Sequence, residues 1–318
     1  MGISLLGAHE FEFVVEEAAS NDPIFFGSNC GHLLNLSRAE SLVQQFLQYL
    51  PQMGLNVETV ESEAGPGQLE VTYQPTNGLN IGDNGYTFKT SIKEICQKNG
   101  FNASFRSKHA ETVTSSSHFC HSLWDARNST PLMSDPEGLY GMSALARHWL
   151  AGLLHHAPAM TLLMCPTINC LDRLGTSPST PTTASWGIDN RSCAFRLHLP
   201  SDPSNGGGMF LENRIGGAGG NPYLTMAATL AAGIDGIVRQ LALPVPTEGV
   251  VPADFTSTLP TNMSDCLDAF LADDVICDAM GPDFVHCFTT LKRHEMNLHR
   301  EAERSGDSSW LHTFFEHI

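Results

Sequence analysis

The sequence of 318 residues predicts an α+β fold, and three stretches carry that expectation. Residues 3–15 alternate apolar and polar side chains as a half-buried strand does, with Phe11 and Phe13 pointing one way and Glu10 and Glu12 the other. Residues 37–50 set Leu42, Val43, Phe46, Leu47 and Leu50 along one stripe of a helix. Residues 206–238 join a short strand, a glycine-rich loop and an Ala/Gly-rich helix. In that block Glu212 and Arg214 stand two apart, so on a strand they share a face. Asn221 is a good N-cap and Pro222 suits the first helical position. The small residues behind them predict a helix that packs closely on a sheet.

Bulk properties narrow the function. The length allows one large domain or two smaller ones, and a hydrophobic content of 42% can fill a substantial core. A net charge of −17 argues against non-specific binding to nucleic acid or to an anionic membrane, which needs clustered Lys and Arg. The nine cysteines are odd in number and form no Cys-x-x-Cys pair, so they read as free thiols of a reducing compartment. With Glu10, Glu12, Glu16 and Glu17 among them, residues 1–20 are not expected to be a signal peptide. No apolar run approaches the ~20 residues that span a bilayer. A soluble, cytoplasmic protein is expected.

In chain order, residues 21–36 read as a loop, and Ser37 with Glu40 reads as a capping box for the helix that Pro51 and Gly54 end. Glu63 and Glu70 bracket a Gly65-Pro66-Gly67 turn that leads into the alternating strand 69–73. Glu61 reads as an exposed turn acid. Residues 83–99 form an amphipathic helix with Phe88, Ile92 and Ile95 inward, followed by a short strand over 101–105. Residues 139–156 predict a long helix with His155 and His156 as its C-terminal cations. Residues 244–260 predict a Pro-rich surface loop, and residues 264–280 and 282–303 two helices parted at Gly281-Pro282. Trp310, Phe314 and Phe315 close the last turns. Read alone, Glu10 and Glu12 are a solvated strand face or a cation site, His118 a structural histidine or a ligand, and Arg191 and Arg196 surface residues or anion contacts.

These segments, in this order, resemble the glutamine synthetase family from about residue 5 to the end. The resemblance rests on Glu10-x-Glu12, on Glu63-x3-Gly67-Gln68-x-Glu70, on His118-x3-Ser122-Leu123-Trp124, on the segment 164–174, on Asn190-Arg191-Ser192-x3-Arg196, and on Glu212-x-Arg214 before Asn221-Pro222-Tyr223. It implies a catalytic domain built as a curved antiparallel sheet backed by helices, with a strand over residues 186–197 and residues from about 262 onward as its helical C-terminal part. The family's N-terminal β-grasp domain, which closes a neighbouring subunit's site, is expected to be absent ahead of Glu10. The resemblance assigns Glu10, Glu12, Glu63, Glu70, His118 and Glu212 as ligands of Mg²⁺ or Mn²⁺. It gives Arg173 and Arg191 catalytic roles, and places Arg196, Arg214 and Ser122 at the substrate or ATP.

The chain also departs from the family. Residues 112–117 (TVTSSS) replace an Asn-Gly-Ser-Gly loop, and β-branched residues resist the backbone freedom that glycine gives. Cys120 replaces a second histidine, with His121 adjacent. Ser179 stands where a flap supplies a glutamate, and a hydroxyl is no general base at neutral pH. Asp202 or Glu111 could restore that acid. Cation and ATP binding are thus better preserved than amino-acid binding. This mixture resembles the lengsin branch of the family, which implies a homo-oligomeric ring (a dodecamer by family analogy). It also implies a structural or chaperone-like association with intermediate filaments of the eye lens. The alternative is an active ATP-dependent glutamate–ammonia or glutamate–amine ligase.

Overall fold

The computed structural model describes residues 2–27, 30–110, 113–200, 208–252 and 254–306. Strand β1 (Ile3–Glu17) is its axis, and it alternates buried and half-buried residues along most of its length. Residues 33–49, expected to be part loop and part capped helix, form two helices, α1 (Leu33–Arg38) and α2 (Glu40–Tyr49). Ser37 lies inside α1 and caps nothing. Asn35, buried against Gly27, anchors this segment instead. Leu42 and Phe46 are buried, and Gly54 turns the chain at φ 86° after Pro51, as expected.

Strands β2 (Val57–Ser62) and β3 (Gln68–Tyr73) make an antiparallel hairpin across the Gly-Pro-Gly turn. Gly67 has φ +65°, and a Cβ there would meet the Val15 carbonyl at 2.5 Å, so the turn needs glycine. After β4 (Thr76–Asn77), helix α3 (Asn80–Lys98) buries Phe88, Ile92 and Ile95. Strand β5 (Phe101–Ser104) joins β1, while β6 (Lys108–Ala110) and β7 (Val113–Thr114) pair apart from the main sheet. β8 (Ser117–Asp125) then runs antiparallel to β1 over nine residue pairs.

Helix α4 (Ala144–Met164) does not stop at His156 but continues through Pro158. The apolar run after it is buried, and that burial outweighs the loss of one helical hydrogen bond. After α5 (Ile168–Leu171), the strand expected over 186–197 is two short ones, β9 (Trp186–Ile188) and β10 (Phe195–His198). They are parallel neighbours parted by a turn in which Asp189 takes φ 48°. β11 (Phe210–Asn213) leads through the glycine loop to α6 (Pro222–Arg239), whose N-cap Asn221 accepts from the amides of Tyr223 and Leu224. The small residues of α6 pack on α4 rather than on the sheet: a Cβ at Gly236 would lie 2.2 Å from the His148 carbonyl. The helix expected over 264–280 divides into α7 (Met263–Leu271) and α8 (Asp274–Met280), with Asp273 capping the second, before α9 (Pro282–Ser305). Trp310, Phe314 and Phe315 lie outside the described residues.

The main sheet has the order β2-β3-β1-β8-β11-β10-β9, with β4 and β5 also on β1. It is antiparallel except for β9–β10 and does not close. The nine α-helices of the described residues contribute to one side. Phe11, Phe13, Leu69 and Val71 pack with Phe46 and Phe88, while Phe119, Leu197 and Leu211 pack with Trp149 and Leu153. The opposite face is left for polar side chains.

His156 is no terminal cation. It is buried mid-helix, 2.6 Å from Asp273 Oδ2 and 2.9 Å from Asp235 Oδ2. Burial disfavours the imidazolium, but the hydrogen bonds to Asp273 and Asp235 outweigh it and raise the pKa. A raised folded-state value means that this contribution is complete below the unfolded pKa of about 6.5 and is lost as pH rises through the folded value. His156→Asn is therefore expected to cost roughly 1.5–3 kcal/mol at pH 6. The difference from wild type should shrink in alkaline buffer, as urea denaturation at the two pH values would show.

Candidate active site

The register of the sheet assembles the site. Glu10 on β1 stands opposite His118 on β8, and Glu12 stands opposite Glu70 on β3. Glu61 on β2 is also opposite Glu70, so it is a strand residue at the chamber wall rather than a turn acid. Glu212 on β11 lies between Cys120 on β8 and Arg196 on β10. A period of two then brings all of these side chains to the face that the helices leave open. Apart from Cys120, they line a chamber of about 800 Å³ that also receives Glu63, Arg173, Arg191, His198 and Arg214. Ser122 lines an adjoining cavity of about 300 Å³ with Trp124, Met209 and Phe210, and its hydroxyl accepts from the Trp124 indole at 2.8 Å. Glu10 borders both spaces.

One atom each from Glu10, His118 and Glu212 lies within 4.8 Å of the others. His118 Nδ1 is 3.2 Å from Glu212 Oε1 and 3.6 Å from Glu10 Oε2. A histidine and two carboxylates converging in this way fit a divalent cation. Glu63 and Glu70 stand in the same acidic crowd. Burial, and after it the charge of Glu12, pushes Glu63 up to about 7. Burial and the neighbouring Glu10 and Glu12 carboxylates hold Glu70 well above the usual carboxylate range. Acids so placed keep their protons or take a cation.

The fifth of the assigned carboxylates behaves differently. Glu12 accepts from the Ser116 amide at 3.0 Å, the Ser116 hydroxyl at 2.6 Å and the Gln68 side-chain amide at 2.9 Å. Its charge is therefore already hydrogen-bonded by the chain itself. Ser115 and Ser116 belong to the stretch that departs from the glycine loop; Thr112 and Glu111 lie outside the described residues, as does Asp202.

The arginines form the opposite wall. Arg214 donates to Glu212 through Nη1, to the Arg191 carbonyl at 3.2 Å and to the Ser179 carbonyl at 3.3 Å. Arg196 bridges Glu212 at 3.1 Å and Asp189 at 3.2 Å. Burial opposes the ionisation of Glu212, but the His198 hydrogen bond and the His118 and Arg214 charges hold its pKa far below the usual range. Arg173 is buried and spends only Nη2 on the Arg214 and Gly216 carbonyls. Its Nε and Nη1 have no partner among the described residues. A buried guanidinium with spare donors suits an anionic group. Arg191 is exposed at the chamber mouth, and among the described residues the Ser179 hydroxyl bonds only that of Ser177.

His121 does not stand in for the residue replaced by Cys120. It points to the helix side, where its Nε2 accepts from the Trp149 indole at 3.0 Å. Sequence reading missed His198, Asp189, Ser116 and Gln68 as site residues. His198 was within reach, since it is two residues from Arg196 and so on the same face; Asp189 is brought in by a turn that no periodicity marks.

This sheet and this chamber are those of a known class. The chain matches the description "Glutamine synthetase, catalytic domain" over residues 2–310, and it belongs to that family. Members use ATP and divalent cations and are typically oligomeric. Among curated relatives it is 33% identical to lengsin of Canis lupus familiaris, over 96% of this chain and 53% of that protein. It is 32% identical to γ-glutamylethanolamide synthetase GlnA4 of Streptomyces coelicolor, over 83% of this chain and 55% of that protein. This chain thus spans little more than half the length of either. A structure described as apo GmaS without ligand superposes with a TM-score of 0.83 at 27% identity, covering 94% of this chain and 70% of that one. No helix of the described residues is long and apolar enough to cross a membrane.

Proposed function

We propose that this protein is a lengsin-type member of the family that binds a divalent cation and ATP without making glutamine. The observation behind this reading is the Ser116–Glu12 contact. The hydroxyl and amide of Ser116, with Gln68, already satisfy a carboxylate that the resemblance assigns to the cation site. Ser179 adds to it, because the flap there offers no acid to take a proton from an attacking amine. Glu10, His118 and Glu212 would hold the cation, supported by Glu63 and Glu70. Bound there, Mg²⁺ or Mn²⁺ would neutralise phosphate charge beside Arg191, Arg196 and Arg214. Arg173 would meet an anionic group from below. Copies of the chain would assemble into a ring, and a structural association with intermediate filaments follows from the lengsin resemblance.

A second reading is a working glutamate–amine ligase. The convergence of Glu10, His118 and Glu212 with four arginines favours it, and so does a relative described as glutamate–isopropylamine ligase from Pseudomonas, 29% identical over 93% of this chain. The two readings separate in an assay of γ-glutamyl hydroxamate formation with ATP, glutamate and Mn²⁺. No product above background is expected. Product that disappears in Arg191→Ala would establish the ligase instead.

A further inference from the structure

We propose that His198 is a positioning residue that orients Glu212 toward a divalent cation, an inference that rests on the cation-binding reading above. The two oxygens of Glu212 face different ways. Oε1 lies 3.2 Å from His118 Nδ1, and Glu212 shares a cluster with His118 and Glu10. Oε2 is 2.7 Å from His198 Nε2 and 3.1 Å from Arg196 Nη1. Arg214 also bonds Oε1, so the arginines on their own pull on both oxygens of the carboxylate.

The imidazole is itself fixed. It stacks on Phe210 with centroids 4.1 Å apart and planes 8° from parallel. That stack is a direct cross-strand pair, because His198 on β10 is opposite Phe210 on β11. The other ring nitrogen, Nδ1, faces Asp189 Oδ1 at 3.6 Å, and Asp189 is tied to Arg196. His198, Asp189 and Arg196 thus hold the rear of Glu212 from a neighbouring strand and its turn. A carboxylate anchored through one oxygen presents the other in a set direction. Loss of such an outer partner commonly weakens metal binding about 10- to 100-fold.

The test is Mn²⁺ titration followed by electron paramagnetic resonance on the full chain. The ion of interest is the one whose binding Glu10→Gln abolishes. His198→Ala is expected to weaken that ion's binding about 10- to 100-fold. His198→Gln, whose amide N–H can still donate to Glu212, is expected to recover part of the loss. Phe210→Leu removes the stack but keeps the imidazole and should give a smaller loss; it serves also if His198→Ala fails to fold. Wild-type affinity in His198→Ala, or in Phe210→Leu where the alanine variant does not fold, overturns the inference and leaves the cation reading intact. Absence of Mn²⁺ binding by the wild-type chain overturns both.

Discussion

Glu212→Ala is expected to destabilise the fold by about 3–5 kcal/mol, because it leaves the buried Arg214 and half-buried Arg196 guanidiniums without their counter-charge. Arg214, Arg196 and His198 all converge on this carboxylate, and His118 lies 3.2 Å from it. Glu212 and Arg214 are 3% and 6% exposed, so water does little to replace the lost charge. The sign with pH follows from the depressed pKa of Glu212. A lowered folded-state value gives stability that is present above the unfolded pKa of about 4.5 and is lost as pH falls through the folded value. The gap between wild type and Glu212→Ala in urea denaturation should therefore be widest at neutral pH and narrow in strong acid. Glu212→Gln keeps an acceptor and should cost less. A change below 1 kcal/mol for the alanine variant would show that Arg214 and Arg196 do not depend on Glu212 for their counter-charge.

Trp149→Ala should cost a similar amount, about 3–5 kcal/mol, through loss of a large buried side chain. Trp149 is 1% exposed and lies so close to α6 that a Cβ at Gly233 would come 2.3 Å from its ring. It also donates to His121, which burial lowers to about 4 and so keeps neutral as an acceptor. The substitution opens a cavity between α4 and α6 and strands His121 in the core. Its partner test is Gly236→Ala, where the new methyl meets the backbone of His148 and Gly152, which cannot yield as a side chain would. A thermal midpoint unchanged in both variants would contradict the close packing of the two helices.

The resemblance named the residues of the candidate site, and period two accounts for the face that those on strands share. Glu10, Glu12, His118, Glu70, Glu212 and Arg196 lie on strands, and alternation alone decides which face each one takes. The Asn221-Pro222 start of α6 was legible for a local reason as well, since the cap bonds its own next turn. What failed depended on distant partners. His156 read as a terminal cation because Asp235 and Asp273 are 79 and 117 residues away. The division between α7 and α8 was hidden for the same reason: Asp273, which caps α8, also takes the buried imidazole. Ser37 has the local form of a cap, but burial of Asn35 set the helix start elsewhere. The contact of Ser116 with Glu12 spans 104 residues, and no spacing in the sequence signals it.

The most direct test of the account is a crystal structure of the chain grown with Mn²⁺, with data collected at the manganese edge. An anomalous peak bounded by Glu10, His118 and Glu212 is the predicted result. No peak in the chamber, or one held only by surface carboxylates while these three side chains keep their hydrogen bonds, would contradict it.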